Sequence, residues 1–279
     1  MAAELEVCYR HPNEETRVHC TRCGRPICPD CMTPAPVGHH CPSCVAEGSK
    51  EQRRIRRSTF RRPRSVTTVI LVVNAIVFLV ELALGGATGE VLVRLGAMVP
   101  FLVATGEYWR LVTAMFLHVG VIHLLLNSWG LFLFGNLIES AFGSARFLAI
   151  YLVTGFFASA ASFAFGEVTR VAAGASGAIF GLLGAWLAYN WRRRELFMAQ
   201  ANLRGALLLI AINLVLGFSV QGIDNTAHIG GLVAGVLAGL AAEGAGTRRV
   251  RTATRLAGLT LLLLAGVALA GWRVAAIAG

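Results

Sequence analysis

The chain has 279 residues, of which 56% are hydrophobic and only 14% charged, with a net charge of +10. Soluble globular domains run roughly 45–50% apolar and about 25% charged, so an ordinary water-soluble enzyme is excluded as a starting assumption. Mean hydropathy is +0.64, and all seven cysteines lie between Cys8 and Cys44. A small cysteine-rich head therefore precedes a long apolar body.

In chain order the head comes first (residues 1–48). Its potential ligands fall as Cys8-x2-His11, Cys20-x2-Cys23, Cys28-x2-Cys31 and Cys41-x2-Cys44. Four pairs at knuckle spacing supply eight ligands, enough for two structural, tetrahedral zinc ions with no open coordination position. A disulfide framework is the alternative, but seven is an odd number and a cytoplasmic head would stay reduced. The spacing resembles the cross-brace of B-box-type zinc fingers. That likeness implies Cys8/His11 pairing with Cys28/Cys31 and Cys20/Cys23 with Cys41/Cys44. The same family often ends in two histidines, so His39 and His40 compete for the last places. A head this small needs such a staple, and a cytoplasmic protein partner is its expected role.

Residues 49–65 form a basic linker, with eight basic residues from Lys50 to Arg64 immediately before the first apolar run. A lipid-facing, topology-setting role is favoured there over nucleic-acid binding. No signal peptide is expected, since that run begins after residue 65. Seven apolar stretches follow: Val66–Leu84, Val121–Ile138, Phe147–Phe165, Gly174–Trp191, Ala206–Val220, Thr226–Ala242 and Leu256–Ile277. Lipid offers the backbone no hydrogen bonds, so these read as helices of an all-α multi-pass membrane protein.

Arginine placement sets the expected orientation. With the N-terminus cytoplasmic, the inner connections carry nine arginines (Arg146, Arg192–Arg194, Arg204, Arg248, Arg249, Arg251, Arg255) and the outer ones four (Arg94, Arg110, Arg170, Arg273). The C-terminus then lies outside. Gly85–Gly120 becomes an outer connection, with Trp109 and Phe116 at the interface or dipping into lipid. The heavy use of Arg, Ala and Gly suggests a bacterial source.

Polar side chains inside lipid are candidates for function. Four stand out: His123 and Asn127 in the second span, Ser176 at the outer start of the fourth, and His228 at the outer start of the sixth. All fall at similar depth. Gly177 and Gly181, and Gly231, Gly235 and Gly239, repeat at four-residue spacing, which lets two helices meet backbone to backbone. Such packing would bring Ser176 to His228, a nucleophile to its base. His123 and Asn127 share a helix face and, with the Ser176 N–H, could line an oxyanion hole. No acidic third member is apparent, because Asp224 precedes His228 by only four residues. Phe180 could hold the imidazole by packing instead.

Trp109-Arg110, His123-x3-Asn127, Gly135…Glu139-x3-Gly143, Gly174-x-Ser176-Gly177 and Ala227-His228-x-Gly230-Gly231 resemble, in order, the motifs of the rhomboid intramembrane serine proteases. The resemblance covers residues 66–242, and implies a six-helix core with residues 243–279 adding a loop and a seventh span. It implies cleavage of other proteins' transmembrane segments near the outer leaflet. Ser176 would be the nucleophile, His228 the base, and His123 and Asn127 the oxyanion donors. His118 matches an outer-side histidine of the family, and Phe180 stands where a tyrosine is frequent. Catalysis would need no cofactor. A transporter is a competing reading, but it predicts polar groups spread through the membrane and an internal repeat, and neither is apparent. A catalytically dead rhomboid-like binder would be expected to lack Ser176 or His228. The lipase motif Gly-x-Ser-x-Gly fails at Ala178.

Overall fold

The computed structural model describes residues 5–50, 65–168, 170–220, 222–244 and 247–278. Most of the basic linker, 51–64, lies outside the described residues. The chain divides into two compact units, Met1–Pro63 and Arg64–Gly279.

The first unit is built on two short antiparallel ladders. Strand β1 (Glu6–Val7) pairs with β2 (Glu15–Thr16), and β3 (Thr33–Pro34) with β4 (His39–His40). A single 3-10 turn (Pro29–Cys31) separates the ladders, and helix α1 (residues 42–50) follows β4. Among the described residues of this unit, the buried apolar ones are Ile27 and six of the cysteines. So little apolar area cannot hold a fold by burial alone.

The second unit is a helical bundle. Its helices are α2 (Val66–Ala83), α3 (Gly89–Leu95), α4 (Pro100–Ala104), α5 (Arg110–Thr113), α6 (Val121–Gly130) and α7 (Asn136–Phe142). Then come α8 (Ser144–Phe165), α9 (Ser176–Trp191), α10 (Phe197–Ser219), α11 (Asn225–Glu243) and α12 (Arg248–Ala278). A π-helical turn (Leu131–Gly135) joins α6 to α7, making one rod of the second span. Among the described residues six helices are long and apolar enough to cross a membrane: α2, the α6–α7 rod, α8, α10, α11 and α12.

The helix left out, α9, has 16 residues, which at 1.5 Å per residue reach about 24 Å, short of a ~30 Å hydrocarbon core. It is nonetheless central, packing against α8, α11 and α10. Glycine makes its contact with α11 possible. A Cβ on Gly231 would run into the carbonyl of Gly177, one on Gly235 into that of Gly181, and one on Gly239 would lie 2.8 Å from the Cα of Ala185. The two backbones touch along the whole seam, as the glycine spacing implied.

Several boundaries differ from the sequence reading; helix α12, for one, begins at Arg248, eight residues ahead of Leu256. Helix α10 begins at Phe197, nine residues ahead of Ala206. Gln200, Asn202 and Arg204 lower the local hydropathy, but nothing in the segment breaks a helix, and Asn202 donates to Asn190 Oδ1 on α9 (3.0 Å). The Gly85–Gly120 connection is an ordered assembly of α3, α4, α5 and a 3-10 turn (Ala114–Phe116). Arg110, 5% exposed, holds it together by donating to the carbonyls of Val93 (2.6 Å) and Ala97 (3.0 Å) while pairing with Glu107 (2.7 Å). Trp109 stays half exposed beneath the Arg110 guanidinium, and Phe116 packs on the bundle core.

Candidate active site

The connection is stitched to the segment that leads into α9. Met98 and Ala172 exchange backbone hydrogen bonds (2.9 and 2.8 Å), and the Gly174 N–H donates to the Ala114 carbonyl (2.9 Å). Ser176 follows as the first residue of α9, so its backbone N–H has no partner within the helix. His228 sits one turn into α11, and its Nε2 lies 2.9 Å from Ser176 Oγ. This bond bridges the glycine seam.

One face of the imidazole is covered by Phe180, with ring centroids 4.2 Å apart and planes within 7°. The Nδ1 of His228 makes no hydrogen bond among the described residues. Asp224 is occupied elsewhere. It caps α11 by accepting from the Ala227 N–H (3.0 Å), takes a hydrogen bond from Ser162, and lies 3.6 Å from Arg170. The arrangement is thus a hydrogen-bonded Ser–His pair with a packed ring, and no carboxylate, on the imidazole.

His123 and Asn127 stand on the same face of α6. A Cβ added to Gly174 would lie 2.9 Å from His123 Nε2 and 3.8 Å from Ser176 Oγ, so both atoms border one small space. Gly174, at φ 140°, is the residue that leaves that space open. The Nδ1 of His123 accepts from the Val119 N–H (3.3 Å), which assigns its proton to Nε2, the nitrogen nearer the serine. Asn127 is buried and donates to the His123 carbonyl (2.9 Å), and its Oδ1 has no partner among the described residues. Its amide has a second hydrogen to offer.

Glu139, which the sequence marked only as part of a motif, and Asn74 and Glu81, which it did not mark, are polar residues of the bundle whose places the structure shows. Glu139 accepts from the N–H groups of Val66 (2.9 Å) and Thr67 (3.1 Å) and from the hydroxyls of Ser65, Thr67 and Ser144, tying the start of α2 to α7. Asn74 is fully buried in α2. Glu81, also on α2, accepts from the backbone N–H of His118 (3.0 Å). A lone carboxyl within an apolar run was the available signal for Glu81.

In the head, the ligand atoms of Cys8, His11, Cys28 and Cys31 cluster within 4.8 Å of one another, as do those of Cys20, Cys23, Cys41 and Cys44. The cross-braced pairing is the one observed. His39 and His40 belong to neither cluster but form β4. His11 Nδ1 is 3.1, 3.6 and 4.0 Å from the sulfurs of Cys28, Cys31 and Cys8, and Cys23 lies 3.7 Å from Cys41. A zinc–sulfur bond of about 2.3 Å makes the edge of a tetrahedron about 3.8 Å, so the donor sets fit a metal of this size. None of the seven cysteines is in a disulfide. Burial opposes the charged form of Cys8 and Cys20, yet surrounding backbone N–H donors outweigh it and draw both thiols down to about 6. Burial, with hydrogen bonds to neighbouring sulfurs, pushes Cys31 up to about 11 and Cys44 to about 12. A dication in each cluster would remove that conflict, since it binds every sulfur as thiolate.

The Rhomboid domain profile matches residues 105–243. The chain is 39% identical over 218 residues to rhomboid protease GluP of Bacillus subtilis (strain 168), covering 76% of this chain and 42% of that protein. It is 40% identical over 156 residues to the mitochondrial RHOMBOID-like protein 6 of Arabidopsis thaliana, 55% of this chain and 50% of that one. With the putative rhomboid protease YdcA of Bacillus subtilis (strain 168) it shares 39% identity over 135 residues, 48% of this chain and 67% of the relative. The chain belongs to the rhomboid family. It is a multi-pass membrane protein, and it spans about half the length of the first two relatives, 42% and 50%.

Proposed function

We propose that this rhomboid is an intramembrane serine endopeptidase that cleaves transmembrane segments of other membrane proteins near the outer leaflet. The observation that carries the reading is the 2.9 Å hydrogen bond between His228 Nε2 and Ser176 Oγ, made between two helices inside the apolar bundle. In the mechanism, His228 Nε2 takes the hydroxyl proton as Ser176 Oγ attacks the scissile carbonyl. The negative oxygen is met by the Ser176 N–H, by His123 Nε2–H and by the free amide hydrogen of Asn127. His228 then gives the proton to the leaving amine. Water, deprotonated by the same imidazole, releases the acyl group and restores the serine.

A regular helix hides its carbonyls, so preferred substrates carry small or helix-weakening residues near the outer end of their span. The nine-to-four arginine asymmetry supports a cytoplasmic N-terminus and an outer C-terminus. Zinc in both head clusters is structural in this reading, and the head docks a cytoplasmic protein.

The test is co-expression with tagged single-span proteins. Ser176→Ala and His228→Ala should each abolish cleavage, with the double variant hardly worse, because the pair acts as a unit. A fluorophosphonate should label wild type and not Ser176→Ala. Undiminished cleavage by Ser176→Ala would end the proposal.

A further inference from the structure

Glu81 is the sole acidic residue of α2 and is fully buried. Among the described residues no cation pairs with it, and the one hydrogen bond of its carboxyl is the N–H of His118 accepted by Oε1 at 3.0 Å. A carboxyl in such surroundings is costly, and a leucine would fill the same place without that cost. What the contact does for the protein is legible in the next residues.

His118 lies in the short connection between the Ala114–Phe116 turn and α6, where the backbone is extended at Leu117 (φ −91°, ψ 153°) and turns through Gly120 at φ 140°. No helix or strand ladder fixes the amides there. The Leu117 N–H reaches the Ala114 carbonyl only at 3.4 Å. The His118 N–H is held by Glu81, and the next N–H, that of Val119, is the donor to His123 Nδ1. The His118 ring also packs against the His123 ring, centroids 5.4 Å apart. Anchoring the His118 peptide therefore anchors both contacts that aim His123.

We infer that Glu81 is a positioning residue of the catalytic site. It pins the His118 peptide so that the Val119 N–H keeps His123 in the Nε2–H tautomer, with that hydrogen directed at the space beside Ser176. The inference rests on the reading of His123 as an oxyanion donor. A neutral imidazole can carry its proton on either nitrogen, and only the Nε2–H form donates toward the serine. The contact needs an acceptor of the right reach and no charge, so glutamine serves as well as glutamate. Aspartate, one methylene shorter, does not reach.

The experiment uses the full chain in liposomes with a single-span substrate. Glu81→Gln should stay within about threefold of wild type. Glu81→Leu and Glu81→Asp should lose about tenfold or more in kcat with KM little changed, since misaiming one donor weakens only the transition state. In a His123→Ala background the Glu81→Leu loss should vanish, which a general loss of packing would not do. A second readout needs no turnover. In 15N spectra of histidine-labelled wild type, the signals that disappear in His123→Ala should report a protonated Nε2 and a bare Nδ1, and Glu81→Asp should mix the two forms.

Wild-type kcat in Glu81→Leu, an equal loss in Glu81→Gln, a Leu effect that persists without His123, or an Nδ1–H tautomer in wild type would each overturn the inference. If Glu81→Leu does not fold, the Gln and Asp variants and the wild-type spectrum still decide it. If Ser176→Ala abolishes cleavage while Glu81→Leu and Glu81→Asp turn over normally, the positioning role alone falls. Cleavage that survives Ser176→Ala would remove the dyad beneath it.

Discussion

His228 is held by a ring where many serine hydrolases use a carboxylate. Its Nδ1 has no partner among the described residues, and the Phe180 ring lies stacked on the imidazole at 4.2 Å. A stacked aromatic pair contributes about 0.5–1.5 kcal/mol beyond the area it buries, enough to favour one imidazole orientation several-fold. Phe180→Ala should therefore leave Ser176 present but poorly served. We expect kcat to fall about tenfold with KM little changed, and Phe180→Tyr to stay near wild type; cleavage kinetics in liposomes would show it, and an unchanged kcat in Phe180→Ala would refute the packing role. Ser176 and His228 were legible because a hydroxyl and an imidazole stand out against an apolar run. The bond from Glu81 was not, because its partner is a peptide N–H, which every residue carries and no letter of the sequence marks.

The helices bring these atoms together through glycine. At the glycine positions of the seam between α9 and α11 a side chain has no room: Gly231 lies against the Gly177 carbonyl and Gly235 against that of Gly181. The seam was readable because four-residue spacing puts small residues on one helix face. Less readable were the start of α10, where polar letters mimic a loop, and the π turn at Leu131–Gly135, where no proline or charge marks the change of pitch. The short helices of the Gly85–Gly120 connection escaped too, since Arg110 organises them through carbonyls. Overpacking a tight interface costs about 1–3 kcal/mol, and more where backbone is the obstacle. Gly235→Leu should part α9 from α11, break the Ser176–His228 bond, abolish cleavage and lower the melting temperature. Gly205→Leu in α10, where a Cβ meets nothing within 4 Å, should change neither. Normal cleavage by Gly235→Leu would mean the seam does not set the dyad.

At the scale of the whole chain, two units stand by different physics. The bundle buries apolar side chains such as Phe147, Tyr151 and Leu182, whereas the head buries Ile27 and cysteines around two clusters of candidate metal ligands. All seven cysteines are in the head and none follows Cys44, so a thiol reagent applied to the unmodified chain reports on the head alone. One experiment then reads both its metal and its side of the membrane. If the N-terminus is cytoplasmic, a membrane-impermeant maleimide should leave the protein unlabelled in intact cells. If zinc fills both clusters, the thiolates should still react slowly once the cells are opened, Cys23 first because it is the exposed one. Adding a chelator should release about two zinc ions per chain and expose all seven thiols together, because binding free energy and folding free energy are the same quantity in a domain with so small a core. The bundle holds none of these ligands, so cleavage of a single-span substrate should survive the chelator. Labelling in intact cells would reverse the orientation. Full, rapid labelling of opened cells before any chelator is added, with no zinc released afterwards, would remove the metal from the head.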